Sequence, residues 1–144
     1  MKVLFVCTGN TCRSPMAEAI FNKLALDTEH MASSCGTNVF MPQNISKKSV
    51  EALKNFGISD FSKKSKMITE ADIDTADIVL TMTTSHKQML KTVYTKHKSK
   101  IYTLNEKAHG IDSDISDPYG LSQDEYNKCA KQIFDAVEKI ICSL

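Results

Sequence analysis

The chain has 144 residues, 42% hydrophobic and 24% charged, so it can bury one ordinary core and is composed like a soluble globular protein. Its formal net charge of +1 argues against nucleic acid as a partner and leaves any affinity for anions to a local site. No apolar run is long enough for a signal peptide or a membrane span, so we expect one domain over residues 1–144 with no membrane partner.

The first predicted elements are a strand, a loop and a helix. Val3–Val6 is a continuous β-branched and apolar run, typical of a strand buried on both faces of a parallel sheet. A turn-rich segment follows at Cys7–Ser14. Pro15 then occupies the position of a first helical residue, and apolar residues recur at helical spacing after it, at Met16, Ile20, Phe21 and Leu24.

The alternation of strands and helices continues along the chain. The pattern predicts strands at Met31–Cys35, Ile78–Met82 and Lys100–Leu104, and helices at Ser46–Phe56, from Thr69, and at Ser85–Tyr94. Gly, Asp and Pro predict a loop over Asn105–Leu121. The last helix begins at a capping box of Ser122 and Glu125, and its apolar stripe is Tyr126, Cys129, Ile133, Val137, Ile140 and Ile141.

Strands that alternate with helices indicate an α/β domain with a parallel sheet, in which sites form at the carboxyl ends of the strands. The segment Cys7–Ser14 follows the first strand and therefore lies at such an end.

Five cysteines, an odd number without a CxxC pair, indicate free thiols in a reducing cytoplasm. Of these, Cys35, Cys129 and Cys142 are expected to be core residues. Basic residues are unevenly used, since the chain has 17 lysines and a single arginine, Arg13. Only arginine offers a planar, permanently charged fork for an oxyanion, so its one use indicates that a guanidinium is needed there.

The segment Cys7-Thr8-Gly9-Asn10-Thr11-Cys12-Arg13-Ser14 suits phosphoryl transfer to sulfur. A loop that runs into a helix N-terminus directs backbone N–H groups and the helix dipole at one point, and Gly9 and Asn10 tolerate positive φ angles. Cys7 is expected to have its pKa lowered by that dipole and by Arg13, which can clamp a phosphate, while the Ser14 hydroxyl can donate to the thiolate. The same residues also allow a plain turn with a small buried thiol.

This loop resembles the signature of the low-molecular-weight protein tyrosine phosphatase family, and the resemblance extends over most of the chain. Further matches are Ser34-Cys35-Gly36-Thr37, Phe56-Gly57-Ile58 and Asp117-Pro118-Tyr119-Gly120. The resemblance implies a three-layer α/β/α fold with a four-stranded parallel sheet in the flavodoxin-like order 2-1-3-4. It also implies hydrolysis of phosphorylated protein side chains through a phosphocysteine on Cys7, without a cofactor or metal.

The same resemblance assigns further residues. Asp117 matches the general acid and base, although an Asp-Pro turn is the alternative from its residues alone. Phe40 and Tyr119 match aromatic walls beside the substrate, and the loop residues Thr8 to Cys12 match the phosphate cradle. A reversible Cys7–Cys12 disulfide is implied, as in many members of the family, and a Cys12 thiol packed behind the loop is the alternative from the residues alone.

Thr11 bears on which phosphorylated residue is the substrate. Many tyrosine phosphatases of the family carry a larger aliphatic residue there, whereas Thr-Gly-Asn-Thr-Cys-Arg-Ser also resembles the bacterial protein-arginine phosphatases. A small hydroxyl residue could admit a phosphorylated guanidinium, with which Asp117 could pair. We expect phosphoarginine, with phosphotyrosine accepted too; a neutral variation at Thr11 is the alternative.

Three other functions fit parts of the pattern. A thioredoxin-coupled arsenate reductase shares the loop, but residues 81–94 lack the extra cysteines it needs, and Cys129 and Cys142 lie roughly 20 Å apart along a helix at 1.5 Å per residue. A non-catalytic phosphate-binding module would need neither the nucleophilic thiol nor Asp117. A metal site is the weakest of these alternatives, because the spacing of the four histidines (His30, His86, His97 and His109) is not that of metal ligands. They are expected at the surface or at caps.

Overall fold

A computed structural model describes all 144 residues. Four parallel strands form one sheet in the order β2-β1-β3-β4, with β1 at Lys2–Cys7, β2 at Met31–Gly36, β3 at Ile78–Thr81 and β4 at Ile101–Thr103. The helices are α1 at Arg13–Leu24, α2 at Lys47–Lys54, α3 at Glu70–Thr75, α4 at Thr84–Val93, α5 at Leu104–His109 and α6 at Gln123–Cys142, with a 3₁₀ helix at Thr95–Lys100. The predicted strand order and parallel sheet are confirmed.

Alternate residues of β1 enter two separate cores because successive side chains of a strand point to opposite faces. Phe5 belongs to a large core with residues of α1, α2, α5 and α6. Leu4 and Val6 belong to a smaller core with Ile73 of α3 and Leu90 of α4. The sheet is therefore covered on both faces, which gives the expected three layers and explains why β1 is apolar from Val3 to Cys7.

The stripe predicted on the last helix is confirmed. Tyr126, Cys129, Ile133, Val137 and Ile140 are buried, while Ile141 is partly buried. Its start differs from the prediction, because the Ser122 hydroxyl accepts the Glu125 N–H but no return bond from the Glu125 side chain completes a capping box. Cys142 was expected in the core; this was wrong, because the last turn of α6 leaves it exposed.

The loop predicted over Asn105–Leu121 is partly wrong, because its first residues form α5. Thr103 accepts the Glu106 N–H at 3.0 Å, and the Glu106 carboxylate accepts the Thr103 N–H at 3.2 Å, which completes a capping box. Gly110, at φ 74°, ends the helix in the left-handed conformation. The polar composition of this segment favoured a loop in the prediction, although Thr103 and Glu106 have the spacing of a capping box.

Helix α1 begins at Arg13, two residues before the predicted start at Pro15. Its N-cap, Cys12, provides no side-chain acceptor for the first N–H groups. The N-terminus of α1 is therefore left open toward the loop that follows β1. No helix of the protein is both long enough and apolar enough to cross a membrane.

Candidate active site

The loop between β1 and α1 is shaped by Asn10. This residue has φ 56°, a left-handed conformation that asparagine tolerates better than most side chains do. Its buried amide donates to Ser14 Oγ at 2.8 Å and to Ser34 Oγ at 3.0 Å, and accepts the Lys66 N–H at 3.0 Å. Gly9 and Asn10 both tolerate a positive φ, but in this loop only Asn10 adopts one.

Several backbone donors of this loop have no acceptor. The N–H groups of Thr8, Gly9, Thr11 and Cys12 donate to no backbone or side-chain atom. Unpaired N–H groups at a helix N-terminus favour an anion through their dipoles and through the helix dipole. The loop is therefore arranged as a cradle for an oxyanion such as a phosphoryl group.

The Cys7 sulfur lies at the end of β1, at the base of this cradle. Its Sγ is 2.9 Å from Ser14 Oγ and accepts the Asn10 N–H at 3.3 Å. Burial raises the pKa of the Cys7 thiol, against the lowering expected from the sequence, while the Ser14 hydrogen bonds and the Arg13 charge act in the opposite direction. The ionisation of this thiol therefore depends on its hydrogen-bond donors as well as on the nearby charge.

Arg13 links the loop to the segment that carries Asp117. The buried guanidinium donates from Nη1 to Ile115 O at 2.9 Å, and its Nη2 is 3.4 Å from Asp117 Oδ2. The Asp117 carboxylate is half exposed, and its Oδ1 accepts the Tyr119 N–H at 3.1 Å. Two residues separated by more than a hundred positions thus meet beside the cradle.

A cavity of about 470 Å³ opens over the loop. Its lining contains all but one of the site residues predicted from the sequence: Cys7, Thr8, Gly9, Asn10, Thr11, Cys12, Arg13, Phe40, Asp117 and Tyr119. The exception is Ser14, whose hydroxyl contacts the Cys7 sulfur. Phe40 and Tyr119 are 95% and 77% exposed, so they lie at the mouth. They could flank a long side chain whose end reaches the cradle.

Other lining residues were missed by the sequence reasoning: Asn38, Val39, Met41, Gln43 and Ser65. They lie outside the motifs, in the segment after β2 and in one opposed to it. A backbone bond from the Ser65 N–H to Gln43 O at 2.8 Å holds these two segments together. Nothing in the local sequence around Ser65 signals this placement, because only the long-range pairing brings it to the cavity.

The Cys12 thiol of this loop is buried in a polar network. Its Sγ is 3.4 Å from the Tyr126 hydroxyl and 3.7 Å from Ser46 Oγ. Burial, together with Cys12, raises the pKa of Tyr126. The Cys7–Cys12 disulfide stays a prediction, because both residues are free thiols in the structure.

His86 was missed as a site residue. It was expected at the surface or at a cap; it does contact the N-cap Thr83 in the first turn of α4, but the residue is only 8% exposed and lies beside the loop that follows β1. Its Nε2 is 2.8 Å from Thr8 Oγ1. Of the four histidines, only His86 contacts the loop by a hydrogen bond.

The fold and this cavity define an α/β protein in which a loop with unpaired N–H groups, a buried thiol and a guanidinium lie side by side. The sequence matches the family described as low molecular weight phosphotyrosine protein phosphatase over residues 2–144. The chain therefore belongs to the low molecular weight protein tyrosine phosphatase family, and it is a phosphatase.

Several relatives show how far this likeness extends. A low molecular weight protein-tyrosine-phosphatase, PtpB of Staphylococcus epidermidis, is 41% identical over 97% of this chain and 96% of its own. A protein-arginine-phosphatase of Bacillus subtilis is 38% identical over 100% of this chain and 94% of its own.

Among solved structures, a YwlE arginine phosphatase has a TM-score of 0.95 at 34% identity, with 100% of this chain and 95% of that chain covered. That protein is a cysteine-to-serine mutant with a phosphorylated active-site serine.

Proposed function

We propose that this chain, as one domain over residues 1–144, hydrolyses phosphorylated protein side chains through a phosphocysteine on Cys7. The observation that carries the proposal is the meeting, in one cavity, of the Cys7 sulfur, the unpaired loop N–H groups, Arg13 and Asp117. A thiolate, donors for the equatorial oxygens and an acid for the leaving group are the parts that this reaction needs.

In the first step the Cys7 thiolate attacks phosphorus, and the bond from phosphorus to the substrate atom breaks. The Asp117 carboxyl gives its proton to that leaving atom. The loop N–H groups and the Arg13 guanidinium hold the charge on the equatorial oxygens. Ser14 donates its hydroxyl to the sulfur, which favours the thiolate against the burial that raises the pKa of Cys7.

In the second step a water molecule attacks the phosphocysteine, and the Asp117 carboxylate takes the proton of that water. The S–P bond breaks, which releases inorganic phosphate and regenerates the Cys7 thiolate. No oxidant, reductant or metal ion enters this balance. The phosphorylated active-site serine of the YwlE mutant supports a phosphoryl group on the residue that replaces the cysteine.

For the substrate we propose phosphoarginine, with phosphotyrosine accepted too. Relatives named for each activity are similar to this chain at comparable identity, so their names do not separate the two. The observation in favour of phosphoarginine is that Thr11 and the half-exposed Asp117 carboxylate both line the cavity, where they can contact a guanidinium. The apolar residues Val39, Phe40 and Met41 in the same lining would suit a tyrosyl ring, in keeping with phosphotyrosine as a second substrate.

The phosphorylated side chain belongs to a protein substrate, whose chain would pass the exposed Phe40 and Tyr119 at the mouth. All five cysteines are free thiols, which suits the cytoplasm.

The experiment measures kcat/KM on matched phosphoarginine and phosphotyrosine peptides, without added metal. Cys7→Ser is expected to abolish turnover while orthovanadate or phosphate binding is retained, and Cys142→Ser, at an exposed thiol, serves as the matched control. Turnover that survives Cys7→Ser would remove the mechanism, and binding without turnover in the wild type would make this a binding module. Thr11→Ile is expected to lower the preference for phosphoarginine; an unchanged preference would remove Thr11 as the selector.

A further inference from the structure

The imidazole of His86 is hydrogen bonded on both sides. On one side Nε2 is 2.8 Å from Thr8 Oγ1, in the phosphate loop, and on the other Nδ1 is 2.9 Å from Thr83 Oγ1. The ring is held in place by the first turn of α4, where the His86 N–H donates to the same Thr83 hydroxyl. It therefore forms a bridge between that turn and the loop.

One tautomer gives each hydroxyl and ring hydrogen in this bridge an acceptor. The Thr83 Oγ1 accepts the His86 N–H, and its own hydrogen has no acceptor other than Nδ1. If the Thr83 hydroxyl donates to Nδ1, the ring proton is on Nε2 and donates to Thr8 Oγ1. The Thr8 oxygen then keeps one lone pair and its own hydrogen for another partner.

The neutral form of the ring is favoured as well. Burial, with the Arg13 charge second, lowers the pKa of His86 to about 4, although Asp114 and Asp117 act in the opposite direction. The ring therefore stays neutral, with its proton on Nε2, across the neutral pH range. The bridge orients Thr8 without switching near pH 7.

Thr8 lies beside the cavity that is proposed to hold the substrate side chain. Its side chain is exposed, so it lies at the lip of the cavity, above the cradle. It lines both the main cavity and an adjoining hollow of about 400 Å³, and in both it shares the lining with Arg13 and Asp117. Asp117 is the group proposed to protonate the leaving atom, so Thr8 lines the same cavity as the proposed acid.

We infer that His86 is a positioning residue, which fixes the Thr8 hydroxyl as a polar contact for the N–H groups of a phosphorylated guanidine. The inference rests on the proposed phosphatase function and deepens it. A guanidine carries N–H donors next to its phosphoryl group, whereas the ring of phosphotyrosine carries none. A fixed hydroxyl in this cavity therefore favours a phosphoramidate over an aryl phosphate.

The test is the ratio of kcat/KM for phosphoarginine to kcat/KM for phosphotyrosine, in matched peptides at pH 7. Thr8→Val keeps the shape and removes the hydroxyl, and His86→Leu removes the donor that orients it. Each change is expected to lower the ratio about tenfold, the size of one well-made hydrogen bond to a charged group. His86→Gln, which keeps an N–H donor, is expected to restore most of the ratio.

The double variant shows whether His86 acts through Thr8. Thr8→Val with His86→Leu is expected to lower the ratio no further than Thr8→Val alone. An additive loss, or a ratio that none of the variants changes, would overturn the inference. The inhibition constant of orthophosphate reports whether the cradle is intact, and Thr8→Val at an exposed position keeps the test valid if His86→Leu misfolds.

Failure of this inference is distinct from failure of the proposed function. Wild-type turnover of phosphotyrosine alone, lost in Cys7→Ser, would keep the phosphatase and refute the guanidine contact. No turnover of either peptide would refute the phosphatase itself, and with it the contact.

Discussion

Replacing Ser14 with alanine tests how the buried thiol of Cys7 ionises. The Ser14 hydroxyl is fully buried and lies 2.9 Å from the Cys7 sulfur, with which it shares one hydrogen. Removing it takes a donor from the thiolate and none from the neutral thiol, so the pKa of Cys7 rises further. A hydrogen bond to a charged group contributes about 1.5–3 kcal/mol, and about 1.36 kcal/mol corresponds to one pH unit. The expected rise is therefore about one to two pH units.

The assay is kcat/KM for p-nitrophenyl phosphate as a function of pH, which reports the ionisation of the free enzyme. The acid limb of the Ser14→Ala profile is expected to move to higher pH by that amount, and kcat/KM on that limb to fall about 10- to 100-fold. The pH dependence of the rate at which iodoacetamide alkylates Cys7, followed by mass spectrometry, should shift to higher pH by the same amount.

Ser34→Ala is the matched control. The Ser34 hydroxyl accepts from the same Asn10 amide at 3.0 Å but makes no bond to the sulfur. Its removal is expected to change the acid limb much less. An unmoved acid limb in Ser14→Ala, or an equal movement in Ser34→Ala, would refute the assignment of Ser14 as the donor to the thiolate.

Three other predictions follow from the same geometry. Asp117→Asn should lower kcat/KM on a phosphopeptide about 10²- to 10⁴-fold, and less on p-nitrophenyl phosphate, whose leaving group scarcely needs a proton; equal losses would argue against a general acid. Gly36→Ala should cost about 1–3 kcal/mol in urea unfolding and most of the activity, because its Cβ would lie 2.5 Å from Thr8 O; a wild-type midpoint would contradict this. Between pH 6.5 and 4 the unfolded chain binds a proton on His86 and the folded chain, in which its pKa is lowered to about 4, does not; as the pH falls through this range, wild type should therefore lose about 3 kcal/mol of unfolding free energy relative to His86→Gln, and a difference between the two that stays constant with pH would contradict this.

The sequence by itself determined the sheet and the loop. Val3–Val6 is apolar at every position because both of its faces are buried, and that pattern is local. Cys7, Arg13 and the turn-forming Asn10 lie within seven consecutive residues, so one strand-loop-helix unit is enough to bring them together. Asp117 came from the family resemblance, because an Asp-Pro pair by itself also fits a plain turn.

The tertiary structure decided everything that depends on distant contacts. Arg13 reaches Ile115 O only because the segment after α5 crosses the end of the sheet, and the wall at Gln43 and Ser65 exists only through their pairing.

The direction of the Cys7 pKa was misjudged because the loop dipole can be seen in the sequence, whereas complete burial of the sulfur cannot. His86 was missed for the same reason, since its partner Thr8 lies 78 residues away. Short-range periodicity specifies elements, while burial and long-range hydrogen bonds are properties of the packed chain.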